Sequence, residues 1–136
     1  MMKKRDAIIA GMITNACFNV ITFAILLYWL GAYDRYIPEY WIVFITGTSI
    51  HIVISGIIGG AVGLLFVFVQ RHIPIKSLYI RYCWFALGLA SATIIAAILY
   101  GNRRFEVRHI VLLVVQFPVY CYAFVWLYNR LSGRGE

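Results

Sequence analysis

Charged residues are scarce in this 136-residue chain, and four long stretches contain no aspartate, glutamate or lysine. Only 12% of the residues are charged, whereas soluble domains carry about 25%. Arg81 is the one arginine within these stretches. Each stretch reaches the ~20 residues that a helix needs to cross a hydrocarbon core ~30 Å thick. The predicted membrane helices are approximately 7–30, 41–69, 78–100 and 109–128.

Short connections between these stretches leave little chain outside the membrane. The sequence therefore predicts an all-α integral membrane protein in which residues 1–136 form one four-helix bundle. Four spans put both termini on the same side, and lysine and arginine are more numerous there. The positive-inside rule then predicts cytoplasmic termini in a plasma membrane. The basic residues on the side of the termini are Lys3, Lys4, Arg5, Arg71, Lys76, Arg81, Arg130 and Arg134.

Motifs of enzymes and metalloproteins are also missing. The sequence has no paired carboxylates, no HExxH, no Ser-His-Asp arrangement and no phosphate loop after a strand. Its three cysteines form no Cys-x-x-Cys pair, and its three histidines fall at different depths. We therefore expect no metal and no cofactor, and a non-enzymatic role is favoured over an enzymatic one. The basic residues that give the net charge of +7 lie at helix ends. This position favours anionic lipid over nucleic acid as the partner.

Small and polar residues recur at every fourth position of the second helix, namely at Gly47, His51, Ser55, Gly59 and Gly63. Residues four apart stack on one helix face, and small faces are where membrane helices approach closely. The pattern predicts a groove for a neighbouring helix, with Asn15 at the level of Gly59. The predicted packing residues are Gly47, Ser55, Gly56, Gly59, Gly60 and Gly63 in the second helix, and Gly88 and Ala92 in the third.

Polar residues form a second pattern, because several come to a similar depth in the membrane. This depth is roughly four helical residues, or ~6 Å, from the midplane towards the outer side. Unpaired polar groups are costly in lipid, so these side chains should face the bundle interior. They would either hydrogen-bond between helices or form a buried ligand site or polar path. The predicted layer contains Thr22, His51, Thr93 and Gln116, with Asn15 and Asn19 nearer the middle of the first helix.

The third connection carries a basic run around Phe105, made of Arg103, Arg104 and Arg108. Such a run either contacts an anionic headgroup or is a solvated helix connection.

Three functions follow from these patterns. The first is a non-enzymatic structural or accessory subunit that acts through helix–helix association, as a homo-oligomer or within a larger membrane complex. The second is a small channel or carrier with a polar path through the bundle. The third is an intramembrane enzyme that acts on lipid, for which the sequence offers no evident base.

Overall fold

The computed structural model of the chain describes residues 2–30, 38–99 and 107–133. Within these ranges the secondary structure is entirely helical, which confirms the predicted all-α class for this part of the chain. A 3-10 turn over Gln70–His72 follows the second helix. The four α-helices are α1 (Lys4–Leu30), α2 (Pro38–Val69), α3 (Leu78–Leu99) and α4 (Val107–Leu131).

Three of the described helices are long and apolar enough to cross a membrane. The spans cover Lys4–Ile25, Ile45–His72 and Leu78–Ala96, with mean hydropathies of 1.8, 2.6 and 1.4. Their lengths of 22, 28 and 19 residues match the ~20 residues that a bilayer requires. The chain is therefore a helical membrane protein.

The second helix ends where the sequence predicts. Ile73 precedes Pro74 and adopts an extended conformation, with φ −96° and ψ 109°. This geometry follows from the clash between a proline ring and a helical residue before it. The backbone N–H of Ile73 donates to the Gln70 carbonyl at 3.3 Å, which closes the 3-10 turn. The chain then crosses to α3.

Helices α1 and α2 pack with their backbones in direct contact. A Cβ atom added to Gly11 would overlap the Gly59 carbonyl. A Cβ on Gly59 or Gly63 would overlap the carbonyls of Gly11 and Ala7. Because lipid supplies no hydrophobic drive between helices, such close van der Waals contact is a main source of their association. The glycine face of α2 thus receives a helix of the same chain.

Neighbouring helices in the bundle follow the order α2, α1, α4, α3. Helix α3 has few contacts with α2. The core lies at one end of the bundle, where the Lys3 backbone N–H donates to the Tyr128 hydroxyl at 3.1 Å. We call this the terminal end. Tyr82 stacks on Phe124 there with ring centroids 3.9 Å apart, and Phe66 meets Tyr82 edge-on at 4.9 Å. Towards the opposite end, α3 is largely exposed.

A candidate polar cavity

A cavity of about 290 Å³ lies among the four helices, beside the terminal-end core. Helix α2 contributes an apolar wall, formed by Ile58 and Val62. The other helices contribute amides and hydroxyls together with apolar side chains such as Phe18, Leu89 and Phe117, and no described lining residue carries a formal charge. The polar lining residues are Asn15, Asn19 and Thr22 on α1, Tyr82 and Thr93 on α3, and Gln116 and Tyr120 on α4.

Helical spacing explains why these side chains share one space. Asn15, Asn19 and Thr22 are four and three residues apart, so they lie on one face of α1 over two turns. Gln116 and Tyr120 are four residues apart and occupy one face of α4. Since α1 packs against α4, the two polar faces meet.

Thr22 and Gln116 join the two faces. The Thr22 hydroxyl oxygen lies 2.7 Å from the Gln116 side-chain oxygen and also 2.7 Å from the Phe18 carbonyl oxygen. A hydroxyl has one proton and two lone pairs, so it can serve both partners only if it donates to Phe18 and accepts from the Gln116 NH₂ group. A side-chain amide turned by 180° about its last bond provides that arrangement.

Asn15 connects three helices. Its Nδ2 donates to the Ser55 carbonyl of α2 at 2.7 Å, and its Oδ1 accepts from the Tyr120 hydroxyl of α4 at 3.5 Å. The Tyr82 hydroxyl of α3 lies 3.4 Å from that of Tyr120. Asn19 differs, because its Nδ2 donates within α1, to the Asn15 carbonyl at 2.9 Å. Asn15 therefore ties helices together, whereas Asn19 presents its side chain to the cavity.

The prediction that His51 faces the bundle interior is wrong. Its side chain is exposed and packs against the Phe23 ring, with centroids 4.5 Å apart. Two physical reasons account for this. A spacing of four residues drifts by about 40° per step around a helix, so His51 is rotated well away from Gly59. Phe23 also fills the space in front of Gly47, 3.5 Å from the position of its missing Cβ.

Thr93 reaches only the edge of the cavity. It is exposed, and its hydroxyl donates to the Leu89 carbonyl of its own helix at 2.9 Å. The predicted buried layer is thus replaced by a group centred on α1 and α4. Sequence reasoning missed Tyr82 and Tyr120 in that group. Tyr120 had a usable signal, since it lies one turn from Gln116.

The predicted packing residues have different surroundings. Gly60 faces Met12 and Ile8 of α1, while nothing lies within 4 Å of a Cβ placed on Gly56 or Gly88. Ser55 is buried and offers its carbonyl to Asn15, whereas Ala92 is exposed. The predicted basic site of Arg103, Arg104 and the Arg108 side chain falls outside the part of the chain that the structure describes.

Comparisons of the chain with protein-family models, curated proteins and solved structures find no match. The class of protein is therefore defined by fold and site alone: a small helical membrane protein with a polar cavity between its helices.

Proposed function

We propose that this protein crosses the membrane four times, with both termini in the cytoplasm, and acts as a small carrier. Its ligand would be an uncharged polar solute or lipid headgroup that occupies the polar cavity. The observation that carries the proposal is that amide and hydroxyl side chains of three helices line one space within an otherwise apolar bundle. At about 290 Å³, this space is close to the lower end of small-molecule sites.

The chemistry of the lining indicates the ligand class. Amides and hydroxyls both donate and accept hydrogen bonds, so they suit alcohol and amide groups. A charged ligand would need a counter-charge in this low-dielectric setting, and the described lining offers none. Uncharged ligands are therefore favoured.

The geometry favours a carrier over an open channel. The stacked rings of Tyr82 and Phe124 lie at the terminal-end side of the cavity, and Tyr82 itself lines it. Passage in that direction would require these rings to move. Pro118 lies in α4 between the cavity residues Gln116 and Tyr120. A proline inside a helix removes a backbone hydrogen bond and allows bending, which supplies a hinge beside the ligand.

Transport can be tested with the purified protein in proteoliposomes. Uptake of radiolabelled glycerol, urea and glucose would report a free solute. Dithionite reduction of fluorescent glucosylceramide would report movement of an uncharged headgroup across the bilayer. We expect at least one probe to move faster than in empty vesicles, and Gln116→Leu and Asn19→Leu to slow it at least tenfold. Ser49→Ala is the control, because Ser49 is exposed and its hydroxyl donates to the Ile45 carbonyl of its own helix. Rates equal to those of empty vesicles for every probe would refute the carrier.

A second candidate function, the accessory subunit that acts through helix–helix association, is favoured by His51. This imidazole is exposed within the span Ile45–His72, among exposed apolar side chains such as Ile50 and Ile54. A polar group that faces lipid is costly, whereas a partner helix could hydrogen-bond to it. We expect native mass spectrometry in mild detergent to detect an oligomer or a co-purified subunit, and His51→Leu to weaken that assembly. A monomer without partners in native membrane extracts would refute this candidate.

A further inference from the structure

An apolar groove of about 520 Å³ lies on the α3 side of the bundle, apart from the polar cavity. One wall is the segment that leaves α2, including Ile73 and Ile75, and the other is the α3 face that carries Trp84 and Leu89. Gly88 also lines the groove on the α3 side, and nothing comes within 4 Å of where its Cβ would stand. The groove therefore has open space beside Gly88.

Three basic residues lie on the chain segment that forms one wall of this groove. His72 lines it and is exposed. Arg71 and Lys76 are exposed and flank the lining residues 72–75 in the chain. The described segment from Gln70 to Ser77 contains no carboxylate. The groove thus has an apolar lining, and the segment Gln70 to Ser77 beside it, which we call its cationic end, carries three basic residues.

The cationic end lies at the expected level of lipid headgroups. The span of α2 ends at His72, and the span of α3 begins at Leu78, so the segment between them is at a membrane surface. Basic pockets between membrane helices at the cytoplasmic surface are suited to phospholipid headgroups.

Arg81 builds the groove rather than binding its ligand. Its Nε donates to the Ile75 carbonyl at 2.9 Å, and a second guanidinium N–H donates to the same oxygen. The Ile75 N–H in turn donates to the Ile73 carbonyl at 2.8 Å. These bonds hold the wall of the groove in place before any ligand arrives, which lowers the cost of ordering it on binding.

We propose that this groove binds one acyl chain of an anionic phospholipid, whose phosphate contacts Arg71, His72 and Lys76. The apolar groove matches a hydrocarbon chain, and the cationic end matches the headgroup. This inference does not depend on the polar cavity or on transport.

Native mass spectrometry of the full-length protein tests the proposal, with dioleoyl phosphatidylglycerol and dioleoyl phosphatidylcholine as probes of equal chain length. We expect the protein to retain the anionic lipid preferentially. The variant Arg71→Gln/Lys76→Gln should lower that preference about fivefold for each charge removed. Arg130→Gln is the matched control, because Arg130 lies over the Trp126 ring of α4 instead.

Filling the groove provides a second test. Gly88→Leu should remove one retained lipid, whereas Ala96→Leu, also exposed on α3 and outside the groove, should not. Thermal unfolding in neutral detergent checks that both variants fold. If Gly88→Leu does not fold, Ala92→Leu takes its place, because Ala92 also lines the groove. Equal retention of the two lipids by the wild type would overturn the proposal. The proposal would also be overturned if the wild type retained a polypeptide, and not a lipid, that is absent from Gly88→Leu.

Discussion

The hydroxyl oxygen of Thr22 lies 2.7 Å from the side-chain amide oxygen of Gln116, although 94 positions separate the two residues. This contact joins α1 to α4 at the polar cavity. Hydrogen bonds between membrane helices contribute about 0.6 kcal/mol on average, with a maximum near 1.7 kcal/mol. The contact is therefore worth measuring directly.

A double-mutant cycle with Thr22→Val and Gln116→Leu should give a coupling energy of about 0.6 kcal/mol, and at most about 1.7 kcal/mol. The measurement is unfolding in mixed micelles with increasing dodecyl sulfate. The control cycle pairs Gln116→Leu with Thr93→Val, because the Thr93 hydroxyl bonds to Leu89 of its own helix. Coupling of equal size in both cycles would contradict the contact.

Gly59→Ala should destabilise the protein by about 1–3 kcal/mol or more, because the new Cβ would overlap the Gly11 carbonyl in a tightly packed contact. Gly56→Ala is the matched control on the same helix. Nothing lies within 4 Å of its Cβ position, so the change should be neutral or stabilising by up to ~1 kcal/mol through helix propensity. Unfolding midpoints in the same micelles decide the matter, and equal responses would rule out the close α1–α2 packing.

Asn15→Leu and Asn19→Leu should separate stability from ligand binding. Asn15 bonds to α2 and α4, so its loss should cost about 1–2 kcal/mol of unfolding free energy. The side-chain amide of Asn19 donates within α1, so its loss should cost less than about 0.5 kcal/mol while still altering the cavity. If Asn19→Leu proved the more destabilising of the two, the described bonding pattern would be wrong.

Phe66→Ala should destabilise the protein by about 3–5 kcal/mol, because this ring is fully buried against Tyr82 and Phe124. Phe68→Ala removes the same ring two residues away, where the side chain is 54% exposed. It should cost less than about 1 kcal/mol. Thermal midpoints in one detergent provide the comparison, and similar losses would argue against a core at the terminal end.

Parts of the site followed from sequence patterns alone. Thr22 and Gln116 were predicted to face the interior because unpaired polar groups are costly in lipid, and both line the cavity. The same argument failed for His51, since its orientation depends on Phe23, a residue 28 positions away. The glycine pattern of α2 predicted a groove without naming its occupant. A helix of the same chain and a helix of a partner satisfy the same packing rule.

By itself, the sequence determined that this is a helical membrane protein, together with the approximate extent of its helices. Hydropathy and proline positions act locally, and in lipid each helix must satisfy its own backbone hydrogen bonds. Tertiary structure alone decided that Gly59 contacts Gly11, that Thr22 meets Gln116, and that His51 faces outward. The rotation and pairing of helices depend on which distant side chains fill the space between them, and no local pattern contains that information.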